Sequence, residues 1–200
     1  MSSLVANFVD IARFEDAAVK PMVAPTRVYQ ILESVLEVSA SSLGRGVTLA
    51  IDCKADLMAR FAAALVERVL HNLVGNAARY CNQGGTIVVA ARRWNDDDSV
   101  ELSVTSSGPL IAADIRSQRF VKYVRGRGGK RGMGLYFCRL VAEAHGGRID
   151  DEPAEIGPRF IVRPPGWAGV TQTAPHTRRA AAFDQPSGRA AGGWGKVDPR

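Results

Sequence analysis

The strongest constraint on this chain is a change of hydrophobic period at Gln83-Gly84-Gly85. Upstream, residues 58–80 place Phe61, Leu65, Val66, Val69, Leu70, Leu73 and Val74 on one stripe. That spacing predicts the longest helix of the chain. Downstream, residues 86–92 and 99–105 read as strands, the second with Val100, Leu102 and Val104 alternating. The turn-forming Asn95-Asp96-Asp97-Asp98 between them predicts a hairpin.

The flanks repeat the mixture of periods. Residues 4–19 carry Leu4, Phe8, Ile11, Ala12, Phe14 and Ala18 at helical spacing, punctuated by Pro21 and Pro25. A second helix is expected after Thr26 as N-cap, with Val28, Ile31, Leu32, Val35, Leu36 and Val38 facing inward and Gly44 and Gly46 ending it. Residues 47–53 alternate as a half-buried strand. A short helix at 112–120, a basic loop at 125–131, a helix at 134–144 and two short strands at 148–149 and 159–162 complete the ordered reading. From Pro164 periodicity ends; residues 165–200 are rich in Pro, Gly, Ala and Arg and are expected to be a disordered tail.

The chain is 46% hydrophobic over 200 residues, enough for a real core. A net charge of +6 favours an acidic partner. The tail carries much basic charge but no nucleic-acid-binding motif, so no nucleic acid is expected as partner. Cys53, Cys81 and Cys138 are odd in number and form no CxxC, which argues for buried fillers in a reducing compartment. No apolar run is long enough to span a bilayer and no signal peptide is evident, so a cytoplasmic location is expected.

Three segments carry chemistry. Asn72 and Asn76 lie four apart in the long helix and share a face, although asparagine is a mediocre helix former. Their amide oxygens suit Mg²⁺ or phosphate-bound water. Gly132-Met133-Gly134-Leu135 opens a helix behind Arg125, Arg127, Lys130 and Arg131, where backbone N–H groups and positive charge favour a phosphate. The third segment, "VTSSGPLI" at 104–111, brings Ser106, Ser107 and Gly108 to a strand end.

In this order and spacing the segments resemble the ATP-binding domain of sensor histidine kinases, a branch of the Bergerat-fold (GHKL) ATPases. "NLVGNAARY" at 72–80 is similar to the family's N box, "RFVKYVRG" at 119–126 to its phenylalanine box, and "RGMGLYFCRLVAEAHGGRI" at 131–149 to its second glycine box and helix. Residues 3–20 look like the second helix of the dimerisation domain. The resemblance implies a two-layer α/β sandwich over residues 21–164, a dimerisation-helix remnant at 1–20, and the tail beyond. It implies ATP and Mg²⁺ as ligands. Asn72 and Asn76 would hold the metal, and Arg79, Tyr80, Ser106, Gly108, Lys130, Arg131, Gly132, Gly134 and Leu135 would line the nucleotide. A response regulator or a histidine-containing protein would be the partner, and the N-terminal helix would support a homodimer.

Two departures matter. Ser106 stands where the family carries an aspartate that accepts a hydrogen bond from the adenine amino group. Exchanging that carboxylate for a hydroxyl gives up roughly 1.5–3 kcal/mol, or about 10–100-fold in affinity. Leu110 replaces the second glycine of the same box and is expected to crowd the pocket. None of His71, His145 and His176 resembles a phosphoacceptor. Two readings therefore stand: a catalytic module phosphorylating a histidine in trans, and a pseudokinase of the same fold working as an interaction module.

Overall fold

The computed structural model describes residues 11–12, 14–15, 20–44, 46–94, 99–116, 118–122 and 133–163, with only the backbone of Asp114. The turn at 95–98, the basic loop at 125–131, His176 and the tail lie outside the described residues, as does most of the segment 1–20.

Five strands form one mixed sheet in the order β2-β4-β5-β7-β6. They are β2 (Thr48–Cys53), β4 (Thr86–Trp94), β5 (Ser99–Ser106), β6 (Arg148–Ala154) and β7 (Gly157–Arg163). β2 runs parallel to β4; every other pairing is antiparallel. Helices α1 (Val28–Ala40), α2 (Ala63–Tyr80) and α4 (Met133–Ala144) cover one face. Alternation sends Val100, Leu102 and Val104 of β5 and Ile87, Val89 and Ala91 of β4 into that layer. There they meet Leu32, Val35, Val66, Leu70, Leu73 and Phe137, all buried. The result is the expected two-layer α/β sandwich.

The start of the long helix is corrected. Residues 58–61 are strand β3 (Met58–Phe61), paired antiparallel with β1 (Ala24–Arg27). The helix begins only after Ala62, which is extended at φ −78° and ψ 96°. Phe61 is fully buried from the strand, so its apolar character fitted either period. Pairing with a distant segment decided the outcome. Thr26 accordingly lies in β1 rather than capping α1; its hydroxyl donates to the Ala24 carbonyl at 3.1 Å, and Arg27 precedes the helix without a side-chain cap. Val38 is 61% exposed, off the buried face of α1. The helix expected at 112–120 is the single turn α3 (Ala113–Arg116), and the two final strands are longer than expected.

Ile11, Ala12, Phe14 and Glu15 are helical. Ile11 is buried in the core, and Phe14 meets Phe137 of α4 edge to face at 6.4 Å. The Glu15 carboxylate accepts from Lys122 Nζ at 2.6 and 2.7 Å and from Tyr136 Oη at 2.8 Å. The Lys122 and Tyr136 hydrogen bonds hold the Glu15 carboxyl below its usual range. Cys53 and Cys138 are buried thiols; burial, then Asp52 and Asp56, push Cys53 up to about 12. Cys81 is only half-buried. No helix among the described residues is long and apolar enough to cross a membrane.

His145, just past α4, ties the end of that helix to the start of α2. Its Nε2 accepts the Ala62 N–H at 3.1 Å, so Nδ1 carries the proton and donates to the Val141 carbonyl at 2.7 Å. Burial lowers its pKa below the ordinary 6.5. In acid the unfolded chain takes up a proton that the folded chain refuses. Stability from this group is thus full above about pH 6.5 and is lost as pH falls from there toward the folded-state pKa. Urea midpoints should drop more between pH 7.5 and 5.5 in the wild type than in His145→Phe. Equal slopes would show that His145 does not carry the effect.

Candidate functional site

The site is laid out along the solvent side of α2. Asn72, Asn76 and Tyr80 are spaced one turn apart, a track of about 12 Å. Asn72 and Asn76 are half-buried; Arg79 and Tyr80 are exposed. Gly75, beside Asn76, opens onto empty space.

At one end of the track α2 meets the first turn of α4. A Cβ built on Gly134 would lie 2.9 Å from Asn72 Oδ1 and 3.5 Å from its Cγ, so only glycine allows this approach without displacement. The Asn72 amide is oriented by donating Nδ2 to the Arg68 carbonyl at 2.9 Å, which leaves Oδ1 facing Gly134. The first-turn N–H groups of α4 have no intrahelical partners and attract anions. Asn72 is thus oriented within its own helix and lies against the start of α4, whereas Asn76 makes no hydrogen bond within the described residues. Leu135 is half-buried against the core. Lys130, Arg131 and Gly132 lie outside the described residues.

At the other end, the close of β5 is wedged between two turns. Asn82 N–H donates to the Ser107 carbonyl at 2.7 Å, and a Cβ on Gly108 would sit 2.5 Å from the Tyr80 carbonyl oxygen. The turn after β6 presses from the opposite side: a Cβ on Gly157 would come 2.3 Å from the Ser106 carbonyl oxygen. Gly85 is equally tight, 2.2 Å from Ser107 Oγ by the same construction.

The two serines are used differently. Ser107 Oγ accepts the Thr86 N–H at 2.6 Å and lies 3.6 Å from Cys81 Sγ, stapling the turn between α2 and β4 to β5. Ser106 is opposite Ile87 and, by alternation, shares the helix-covered face with Val104. It is only 4% exposed, yet its hydroxyl makes no hydrogen bond within the described residues. The hydroxyl is thus left to solvent or to a ligand rather than to the fold. Leu110 is 60% exposed and does not fill a buried space, contrary to the crowding expected of it.

The segment beyond is anchored at the sheet edge. Arg116 Nε reaches the buried Asp151 carboxylate at 3.0 Å, Arg119 contacts the same carboxylate, and Phe120 packs edge to face on Phe160 at 6.3 Å. Sequence reading singled out the asparagines, Gly134 and Ser106 as candidates. It did not find the structural parts of Ser107, Gly85, Gly157 or Asp151; a glycine between the two final strands was the one available signal.

The chain as a whole resembles known proteins. The family model described as histidine kinase-, DNA gyrase B- and HSP90-like ATPase matches residues 62–167. The adaptive-response sensory kinase SasA of Synechococcus sp. (strain CC9311) is 37% identical over 153 residues, 70% of this chain and 38% of that protein. Sensor protein DivL of Caulobacter vibrioides is 30% identical over 155 residues, 74% of this chain and 20% of that protein. The chain therefore spans well under half of these relatives. Among solved structures, the catalytic domain of histidine kinase ThkA superposes with a TM-score of 0.66 at 24% identity, covering 72% of this chain and 95% of that one, a likeness of fold. Full-length ShkA in complex with AMPPNP gives a TM-score of 0.69 at 26% identity over 87% of this chain and 37% of that one. This chain belongs to the histidine kinase-, DNA gyrase B- and HSP90-like ATPases, and the relatives named above are a sensory kinase and a sensor protein.

Proposed function

We propose that the chain is the nucleotide-binding catalytic module of a cytoplasmic two-component signalling kinase. Mg-ATP lies along α2, its phosphates toward Gly134 and its base toward Ser106. The γ-phosphoryl passes to a histidine in trans, with a response regulator downstream. The observation that carries this reading is the close approach of Gly134 to Asn72, which sets a helix N-terminus beside a polar helix face. The AMPPNP bound by ShkA supports it. Asn76 is the better Mg²⁺ ligand of the two, because the Asn72 amide is already oriented by Arg68 and Gly134. Lys130, Arg131 and Gly132 would serve the phosphates, Arg79 and Tyr80 the rim, Leu135 the floor. The N-terminal helix, seated through Ile11, Phe14 and Glu15, would continue into a homodimer interface.

The second reading, a pseudokinase acting as an interaction module, is favoured by the absent carboxylate at Ser106. Calorimetric titration with Mg-ATP separates the two. A Kd tighter than about 100 μM that weakens at least about tenfold in Asn76→Ala supports the nucleotide module. No heat at millimolar Mg-ATP would establish the pseudokinase. Both ring nitrogens of His145 are occupied, so it is no acceptor. This chain alone should give no acid-labile, base-stable labelled product with radiolabelled ATP; the appearance of one would overturn transfer in trans.

A further inference from the structure

The unpartnered hydroxyl of Ser106 has a consequence for which base the site takes. It sits at the end of β5 on the helix-covered face, 4% exposed, while its neighbour Ser107 spends its own hydroxyl on the Thr86 N–H at 2.6 Å. The backbone around it is held by Gly108 against the Tyr80 carbonyl and by Gly157 against the Ser106 carbonyl, so the hydroxyl's position is fixed while its hydrogen is free to rotate.

We propose that Ser106 makes this site tolerant of 6-oxopurines, so that guanosine triphosphate binds alongside adenosine triphosphate. The inference rests on the nucleotide-binding reading above. A carboxylate at this position can only accept a hydrogen bond. It pairs with the amino group of adenine and repels the carbonyl oxygen of guanine, since two acceptors then face each other. A hydroxyl accepts from the 6-amino group or, with its hydrogen turned, donates to the 6-oxo group. Being neutral, it gives neither contact the strength of a charge-assisted bond. The chain therefore exchanges tight, selective adenine binding for weaker binding that is indifferent to the 6-substituent.

The test is competition of ATP, GTP, ITP and purine riboside triphosphate, each with Mg²⁺, against a fluorescent nucleotide on the full chain. GTP and ITP are expected within about tenfold of ATP, because each forms one neutral hydrogen bond of similar strength. Purine riboside triphosphate has no 6-substituent and should bind about fivefold to tenfold more weakly than ATP or ITP. Ser106→Asp should restore a preference for ATP over GTP of at least about 100-fold, as expected where an acceptor opposes an acceptor. A wild-type preference for ATP of that size overturns the inference and leaves the nucleotide reading standing. Equal affinity for ATP and purine riboside triphosphate also overturns it, because the hydroxyl would then contact neither substituent. If no triphosphate displaces or binds at millimolar concentration, the nucleotide reading itself fails and the inference with it. The analogue series uses only the wild-type chain, so it stands even if Ser106→Asp does not fold.

Discussion

Gly157→Ala is expected to cost about 3–5 kcal/mol of folding stability, combining backbone strain with overpacking. Gly157 has φ +146°, a region that residues with a Cβ rarely adopt. The new methyl would also come 2.3 Å from the Ser106 carbonyl oxygen, 2.9 Å from that of Gly108 and 3.0 Å from the Gly108 nitrogen. All three atoms belong to backbone. No rotamer change relieves them, so the turn must lift off the end of β5. That movement would drag Ser106 and Gly108 with it and weaken any ligand held there. Urea denaturation should show a midpoint far below wild type, and the fluorescent nucleotide should bind more weakly in conditions where the variant remains folded. Ile156→Ala in the same turn is the control: its side chain is 42% exposed and its loss should cost less than about 1 kcal/mol. Parity of the two variants would show that the turn relaxes freely.

Much of this architecture was legible because local and long-range preferences agree. The stripe from Leu65 to Val74 is helical, and Val100, Leu102 and Val104 do point into the core. The reading failed where pairing partners are remote. Met58–Phe61 is held as a strand by Ala24–Arg27, a segment containing Pro25 that offered no strand signal of its own. β6 was read too short because Asp150, Asp151, Glu152 and Pro153 look like a loop. They extend along β7 as an edge strand, where charge and proline are tolerated.

The candidate site divides in the same way. The two asparagines and the glycine in the first turn of the last helix are readable as residue types that suit a phosphate and a metal. That Gly134 touches Asn72 is not readable, because the two are brought together only when α2 packs on α4. Ser106 and Ser107 are alike as letters. Strand alternation assigns them to opposite faces, but only the tertiary structure shows that Thr86 claims one hydroxyl and leaves the other.

Glu101→Ala is expected to cost about 3–5 kcal/mol, the range for breaking a buried ion pair by removing one partner. Glu101 is on the face of β5 opposite Ser106's, away from the helices, and is 2% exposed. Its carboxylate accepts from Arg159 Nη2 at 2.6 Å and Arg163 Nε at 2.7 Å. Each arginine side chain is only 18% exposed; Arg159 also reaches Glu152 at 3.1 Å, and Arg163 stacks over Trp94 at 4.0 Å. Truncating the acid leaves two positive charges facing each other over Ile161, which is fully buried between them on β7. Replacing all three charged residues together, as Glu101→Leu with Arg159→Leu and Arg163→Met, should recover most of the loss, since an apolar trio carries no desolvation penalty. A triple variant no more stable than Glu101→Ala would mean that packing, and not unpaired charge, sets the cost. Glu101 also separates stability from binding. It shares a strand with Ser106 but not a face, so a folded Glu101→Ala chain should keep its nucleotide affinity within about threefold, as independent sites do. Gly157→Ala should lose both, because its methyl strikes the strand end that carries the site.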